Sequence, residues 1–461
     1  MTRIFKFLLT ATLLCAAAPA SAAEPAQIEL SRLTAAPNPR LGLAFPGSDP
    51  TYYPYLAQAG IGVTRLSVSW SRVEPAPGKF DFSALDGRIA ALQSLGIAPF
   101  LTFESDAGWG TDPETRKVRN ARPSDPQLWR RFVSRVVERY DGDGRRDMPG
   151  LKGGVRYWQA ANEWISDTNR SGGWAGSTEE LLQFLRDSHD AVKLADPSAL
   201  FVLGGLAAFN LDVLLVAESG RDIEVRQRWN AESETVLTRA EMRGPEIGAI
   251  IRDRVRPVLA QAPYDLADAH LYGPEARDAP RLALLRKLSG RPVLSSECGG
   301  PSLDYGGSYS PEAHFTAVLA RNLGALAAGA EFCLWFRLGE SEGATYGNAR
   351  TALYSADARP KPGVFAYRLL SRLIAADTQI VRRGTEEFEL RRGGAPAIRI
   401  GWGEAAAAVR LSAAREGAES FCLSQASTGL LHGDAASCPD GAPTLSGPGL
   451  LALLSPNPDP R

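Results

Sequence analysis

The sequence is poor in residues that hold transition metals. Its four histidines, His189, His270, His314 and His432, are far apart and show no His-x-His or His-Glu-x-x-His spacing, so a metal-dependent hydrolase is disfavoured. No Cys-x-x-Cys occurs, which removes zinc-ribbon and thioredoxin readings. A Gly-x-Ser-x-Gly elbow, a phosphate-binding Gly-Lys-Ser/Thr loop and a Gly-x-Gly-x-x-Gly turn after a strand are also missing. Serine-hydrolase, nucleotide-binding and nicotinamide-dependent classes therefore lose their usual support, and neither metal nor cofactor is expected. Charge of one sign is not in excess: 51 basic residues face 52 acidic ones, which argues against a nucleic-acid partner. Beyond the N-terminal segment no apolar run approaches the roughly 20 residues of a membrane-spanning helix.

What is present is an ordinary loop-rich globular composition, 44% apolar and 22% charged over 461 residues, with 45 Gly and 32 Pro. The chain starts with Arg3 and Lys6, continues through an apolar run at 7–18 and reaches Ala20, Ser21 and Ala22. That is the pattern of a secretory leader cut after residue 22, so the expected location is periplasmic or extracellular. Export permits disulfides. Cys422 and Cys438, in a Gly/Ser/Pro-rich stretch, suit a loop-closing bridge, whereas Cys298 and Cys333 sit in apolar strand-like runs and read as buried free thiols.

From residue 41 to about 375 one pattern repeats, a short apolar run followed by a helical stretch. The runs are 41–45, 63–70, 98–103, 155–161, 201–206, 266–271, 292–296 and 332–336. Amphipathic segments lie between them, including 177–194, which opens with Ser177 and Glu180 spaced as a capping box. Eight βα units predict a (β/α)8 TIM barrel, assigned to 31–375. Long connections at 104–124 and 207–244 follow the third and fifth runs, on the face where such barrels build their sites. After 375 the pattern becomes short alternating pieces, 387–391, 397–402, 406–411, 420–423 and 450–454. These predict a small C-terminal antiparallel β domain over 376–461, sandwich-like, to which residues 24–30 could add a strand, with a loose tail from 455.

The chemistry concentrates in carboxylates at strand ends. The fourth run leads into Asn162 and Glu163, and the seventh leads into Glu297 and Cys298. Strands four and seven lie nearly opposite in an eight-strand ring, so the two carboxyls can face each other across the mouth. Glycoside hydrolysis needs such a pair, a proton donor for the leaving oxygen and a base or nucleophile at the anomeric carbon. Asn162 and Glu163 are neighbours, so the chain must bulge or turn out there for both to reach one substrate.

These residues resemble the clan A glycoside hydrolases, retaining (β/α)8 enzymes whose catalytic glutamates end strands four and seven. Asn162 and Glu163 look like the clan's Asn-Glu pair, and the stretch from Ala59 to Asp86 is similar to the second βα unit of several of its families. The resemblance makes Glu163 the acid/base, Glu297 the nucleophile, Asn162 a ligand of the sugar 2-hydroxyl and Arg65 the salt-bridge partner of Glu297. Trp335 is implied as the aromatic floor of the cleaved sugar's subsite. His270 and Tyr272 end the sixth run on the face of Asp268, where a phenol could bond the nucleophile; Trp70, Trp109 and Trp164 are further stacking candidates. One departure is Trp164 where many members have proline. Family 39-like and family 5-like members, some acting on bacterial exopolysaccharides, suggest an enzyme for a poly- or oligosaccharide, endo- more than exo-acting, and a monomer is expected. A non-catalytic carbohydrate-binding barrel is the alternative from another class.

Overall fold

The structure, a computed structural model, describes residues 26–228, 234–302, 305–340 and 351–455. The expected leader at 1–22 and residues 456–461 of the expected tail lie outside them. Eight parallel strands form the barrel: β1 (Asn38–Ala44), β2 (Ile61–Ser69), β3 (Ala98–Glu104), β4 (Tyr157–Ala160), β5 (Leu200–Leu203), β6 (Ala267–Leu271), β7 (Val293–Cys298) and β8 (Ala330–Phe336). They are hydrogen-bonded in the order β5-β4-β3-β2-β1-β8-β7-β6. Isolated parallel bridges from Val202 to Leu266 and from Leu206 to Ala269 complete the ring between β5 and β6.

Inward side chains recur every second residue and so form layers. Val63, Phe100, Tyr157, Val202, Leu266, Leu294, Phe332 and Leu334 fill the lower barrel as an apolar cluster separate from the main core. Two residues further along their strands, Arg65, Thr102, Gln159 and Asp268 make a buried polar layer. The strands' C-terminal ends open above it. Outside, helices such as Ser83–Ser94, Pro126–Tyr140, Thr178–Ala195 and Pro311–Ala327 cover the sheet. The capping box forms as expected: the Ser177 hydroxyl accepts from the Glu180 amide, and the Glu180 carboxylate accepts from the Ser177 amide.

The second sheet is one layer of seven antiparallel strands rather than a sandwich. Gln27–Glu29 forms its edge, followed by Leu430–His432, Glu419–Gln425, Thr444–Gly447, Ile398–Gly401, Glu387–Arg391 and Gln379–Arg382. The expected strand at 450–454 is instead the short helix Leu450–Leu453, and that at 406–411 is part of the helix Ala405–Glu416. Its alanine-rich run has high helix propensity, Ala406, Val409 and Ala413 bury one face at helical spacing, and Gly417 at φ 63° ends it in the left-handed conformation. The long fifth connection is also largely structured. It holds the helix Ala208–Ser219 and a hairpin of Val225–Arg228 with Glu234–Leu237. In that helix Leu211 to Val216 are all buried, which erases the amphipathic period that would have marked it.

Both cysteine pairs are disulfides. Cys422–Cys438 matches the expected bridge, but Cys298 and Cys333 are bonded to each other and are not free thiols. The cause is register: β7 and β8 are neighbours, and their pairing brings the two Cα atoms to 6.2 Å, within bridging distance. The bond closes a span of 35 residues. Replacing both Cys298 and Cys333 by alanine should cost about 4 kcal/mol in chain entropy, against roughly 3 kcal/mol for the Cys422–Cys438 pair. Urea unfolding of the two double variants would show the order.

Candidate active site

Each candidate catalytic carboxylate is delivered by a departure from regular strand. After β4, Ala161 (φ 67°) and Glu163 (φ 47°) both adopt left-handed backbone, turning Asn162 and Glu163 out of the ladder. Two glycines after β5 make room for that turn. A Cβ on Gly204 would stand 2.3 Å from the Ala161 carbonyl, and one on Gly205 would stand 2.3 Å from the His270 ring. The Gly205 carbonyl then accepts from the Glu163 amide at 2.9 Å. On β7 the register slips between Leu294 and Glu297 against β6, and between Ser295 and Cys298 against β8. This irregularity aims Glu297 at the mouth.

Arg65 ties the two sides together. Its Nη1 lies 3.3 Å from Glu297 Oε2, its Nη2 donates to Asn162 Oδ1 at 2.8 Å, and its Nε donates to Thr102 Oγ1 at 2.9 Å. Leu66 and Val68 point to the outer core while Arg65 is buried inside, as strand alternation predicts. The Tyr272 hydroxyl donates to Glu297 Oε1 at 2.8 Å. Burial, with the adjoining Glu297 carboxylate, raises the Tyr272 phenol well above its ordinary pKa, so it stays a donor. Glu163 is bonded on both oxygens, by His270 Nδ1 at 2.9 Å and by Asn169 Nδ2 at 2.5 Å. Burial pushes its carboxyl up, but the bonds from His270 and Asn169 and the Arg65 charge outweigh this and hold it below the usual carboxylate range. His270 is displaced oppositely: burial favours the neutral ring, yet Glu297, Glu163 and Asp268 together raise it above its ordinary value.

The structure therefore brings together Arg65, Asn162, Glu163, His270, Tyr272 and Glu297. It does not bring the tryptophans to them. Trp335 is fully buried on the outer face of β8, donating to the Thr351 carbonyl and packing on His314. Trp164 is buried against the Gly204 carbonyl. Trp70 packs among Trp109, Trp129 and Phe132 with its indole N–H on Glu74, and Trp109 donates to the Glu74 carbonyl. The cleft over the carboxylates, about 990 Å³, is lined instead by Phe45, Phe336, Tyr52, Tyr55 and Tyr354. Phe45 and Phe336 meet edge to face at 5.5 Å, and Phe45 underlies the Arg65 guanidinium at 5.4 Å.

Phe336 was findable, because it shares the parity of Phe332 and Leu334, whereas Trp335 does not. Asn169 carries no such signal, being a loop residue that reaches Glu163 only through the fold. Three further carboxylates near strand ends are engaged in other contacts: Glu104 with Arg119 at the cleft wall, Glu340 with Lys361, and Asp268 with Ser296 and Gln159 inside the barrel.

A family described as beta-galactosidase, glycoside hydrolase family 42, matches residues 52–107, the second βα unit singled out above. No curated protein matches the sequence. Among solved structures the chain is similar to a glucosidase from Croceicoccus marinus, at TM-score 0.53 and 14% identity over 82% of this chain and 78% of that one. It is similar to a family 39 glycoside hydrolase from the gut symbiont Bacteroides cellulosilyticus WH2, also at 0.53 and 14%, over 92% of this chain and 81% of that one. A family 39 beta-xylosidase from Caulobacter crescentus aligns at 0.50 and 14% over 82% and 80%. At such identity the likeness is one of fold, and the chain has the barrel architecture of these glycosidases.

Proposed function

We propose that the chain is an exported, retaining glycoside hydrolase that cleaves O-glycosidic bonds of a poly- or oligosaccharide, with Glu163 as acid/base and Glu297 as nucleophile. The observation that carries this is the Arg65 fork, which bonds Glu297 on one side and the neighbour of Glu163 on the other. It supports two carboxyls held at a fixed spacing across one open cleft, the arrangement double displacement needs. Tyr272 orients the nucleophile, Asn162 offers its amide to the sugar, and Phe45 and Phe336 supply rings for C–H faces. Two disulfides fit an oxidising compartment, and among the described residues no helix is long and apolar enough to cross a membrane.

Endo action is favoured by the shape of the cleft. It runs from the carboxylates past β1 and β2 to Tyr52, Tyr55 and Arg88, and Tyr52, half exposed, stacks on Tyr55 with an interplanar angle of 20°. The first product released should keep the substrate's anomeric configuration; proton NMR that detects the inverted anomer first would overturn the mechanism.

A further inference from the structure

Asp268 lies one layer below the catalytic carboxylates, fully buried. Its Oδ1 accepts from the Ser296 amide at 2.7 Å, and its Oδ2 accepts from the Ser296 hydroxyl at 2.5 Å and from Gln159 Nε2 at 2.6 Å. A buried carboxylate needs a compensating charge. Among the described residues its one ion-pair partner is His270, whose Nε2 stands 3.9 Å from Oδ2 and 3.5 Å from the Ser296 hydroxyl. The opposite ring nitrogen, Nδ1, is the one bonded to Glu163 Oε1. The imidazole, itself fully buried, thus hydrogen-bonds Glu163 through Nδ1 and faces Asp268 at ion-pair distance through Nε2.

We propose that Asp268 is a positioning residue that keeps His270 protonated and fixes its tautomer, so that the imidazole stores the proton Glu163 passes to the leaving group. This rests on the glycosidase reading above. Asp268 acts on the ring by charge and through the Ser296 hydroxyl, which donates to Asp268 and faces Nε2; orienting a histidine and stabilising its charged form is the role the carboxylate has in the Ser-His-Asp triad, here with Glu163 in the place of the nucleophile. In the first step the Nδ1–H bond breaks and an O–H bond forms on Glu163, leaving a neutral ring that keeps Nε2–H towards Asp268 and Ser296. The Glu163 O–H bond then breaks as its proton joins the leaving oxygen, which takes the electron pair of the cleaved C–O bond while a Glu297 oxygen bonds the anomeric carbon. In the second step the water oxygen bonds the anomeric carbon as the Glu297 C–O bond breaks, and the proton lost by the water returns to Glu163 and on to Nδ1, so none is gained or lost over the cycle. The other charged groups facing this pair are Glu297 and Arg65, and Glu297 adds to the field that keeps the ring charged. The consequence is a Glu163–His270 pair that retains its proton to higher pH than an isolated glutamate would.

With four histidines in the chain, NMR of protein carrying isotope-labelled histidine resolves each ring, and His270→Gln identifies the signal. In the wild-type enzyme His270 should be an imidazolium at pH 7, losing Nδ1–H first as pH rises; a ring already neutral at pH 7 overturns the proposal, with or without a known substrate. In Asp268→Asn the alkaline limb of kcat/KM should fall by about one pH unit, with KM little changed. A folded, active Asp268→Asn enzyme whose limb does not move also overturns it, whereas a charged His270 in a protein that cleaves no glycoside would sink the glycosidase reading and leave the Asp268–His270 pairing standing.

Discussion

Glu297→Ala is expected to lose at least about 10⁴-fold in kcat on every glycoside, activated aryl glycosides included, because no covalent intermediate can form without its carboxylate. Glu163→Ala should behave differently. On natural substrates it should lose roughly 10²–10⁴-fold, the usual worth of general acid–base catalysis. On aryl glycosides whose leaving group needs no proton, the first step should survive while the second, deprived of its base, becomes rate-limiting. The glycosyl-enzyme then accumulates, and added azide should accelerate turnover and yield a glycosyl azide of retained configuration. Azide rescue with retention in Glu297→Ala and none in Glu163→Ala would reverse the roles. Full activity in both variants would place the site elsewhere.

The second large effect is expected at Arg65, which contacts neither the bond to be cleaved nor bulk water. It is 2% exposed and makes three directed contacts, to Thr102, Glu297 and Asn162. Arg65→Met keeps much of the bulk but leaves Glu297 without its cation and Asn162 without its donor. Breaking one side of a buried pair costs about 3–5 kcal/mol, and the lost alignment should lower kcat/KM by a further factor of about 10². Arg65→Lys should recover little, because an ammonium cannot reach both sides of the cleft at once as the guanidinium fork does. Thermal unfolding and steady-state kinetics on the two variants separate the stability loss from the alignment loss; a kcat/KM within about threefold of wild type would remove Arg65 from the site.

The barrel was legible because eight apolar runs alternate with amphipathic helices, and each run overlaps a barrel strand. Arg65 was legible by parity, since Leu66 and Val68 on its strand are apolar and it is not. The same parity takes Trp335, which the resemblance implies as the subsite floor, away from the cleft. Trp335 is the larger ring, but Phe332, Leu334 and Phe336 share the inward face, and the outward residue of a barrel strand meets helices whatever its type. Pairings that depend on register between strands distant in sequence, such as Cys298 with Cys333, had no local signature. The Asn169 contact to Glu163 is of the same kind, because it depends on how the loop after β4 folds back. The helix at Ala405–Glu416 failed for another reason: alanine is apolar enough to imitate strand alternation over six residues, and only the longer window with its terminal glycine shows the helix.

The strand Gln27–Glu29 carries a consequence for the order of assembly. Its partner is Leu430–His432, and the side chains of Gln27 and His432 meet across a separation of 405 residues. At about 5–20 residues per second of synthesis, the partner follows it by roughly 20–80 s. The barrel between them has low sequence separation within each βα unit and can condense before this long-range pair forms. Until it forms, Leu430–His432 presents unpaired amides and carbonyls, the template by which one copy pairs with another. Residues far earlier in sequence thus cover that edge, and Gln27–Glu29 becomes the sheet's outer strand in its place.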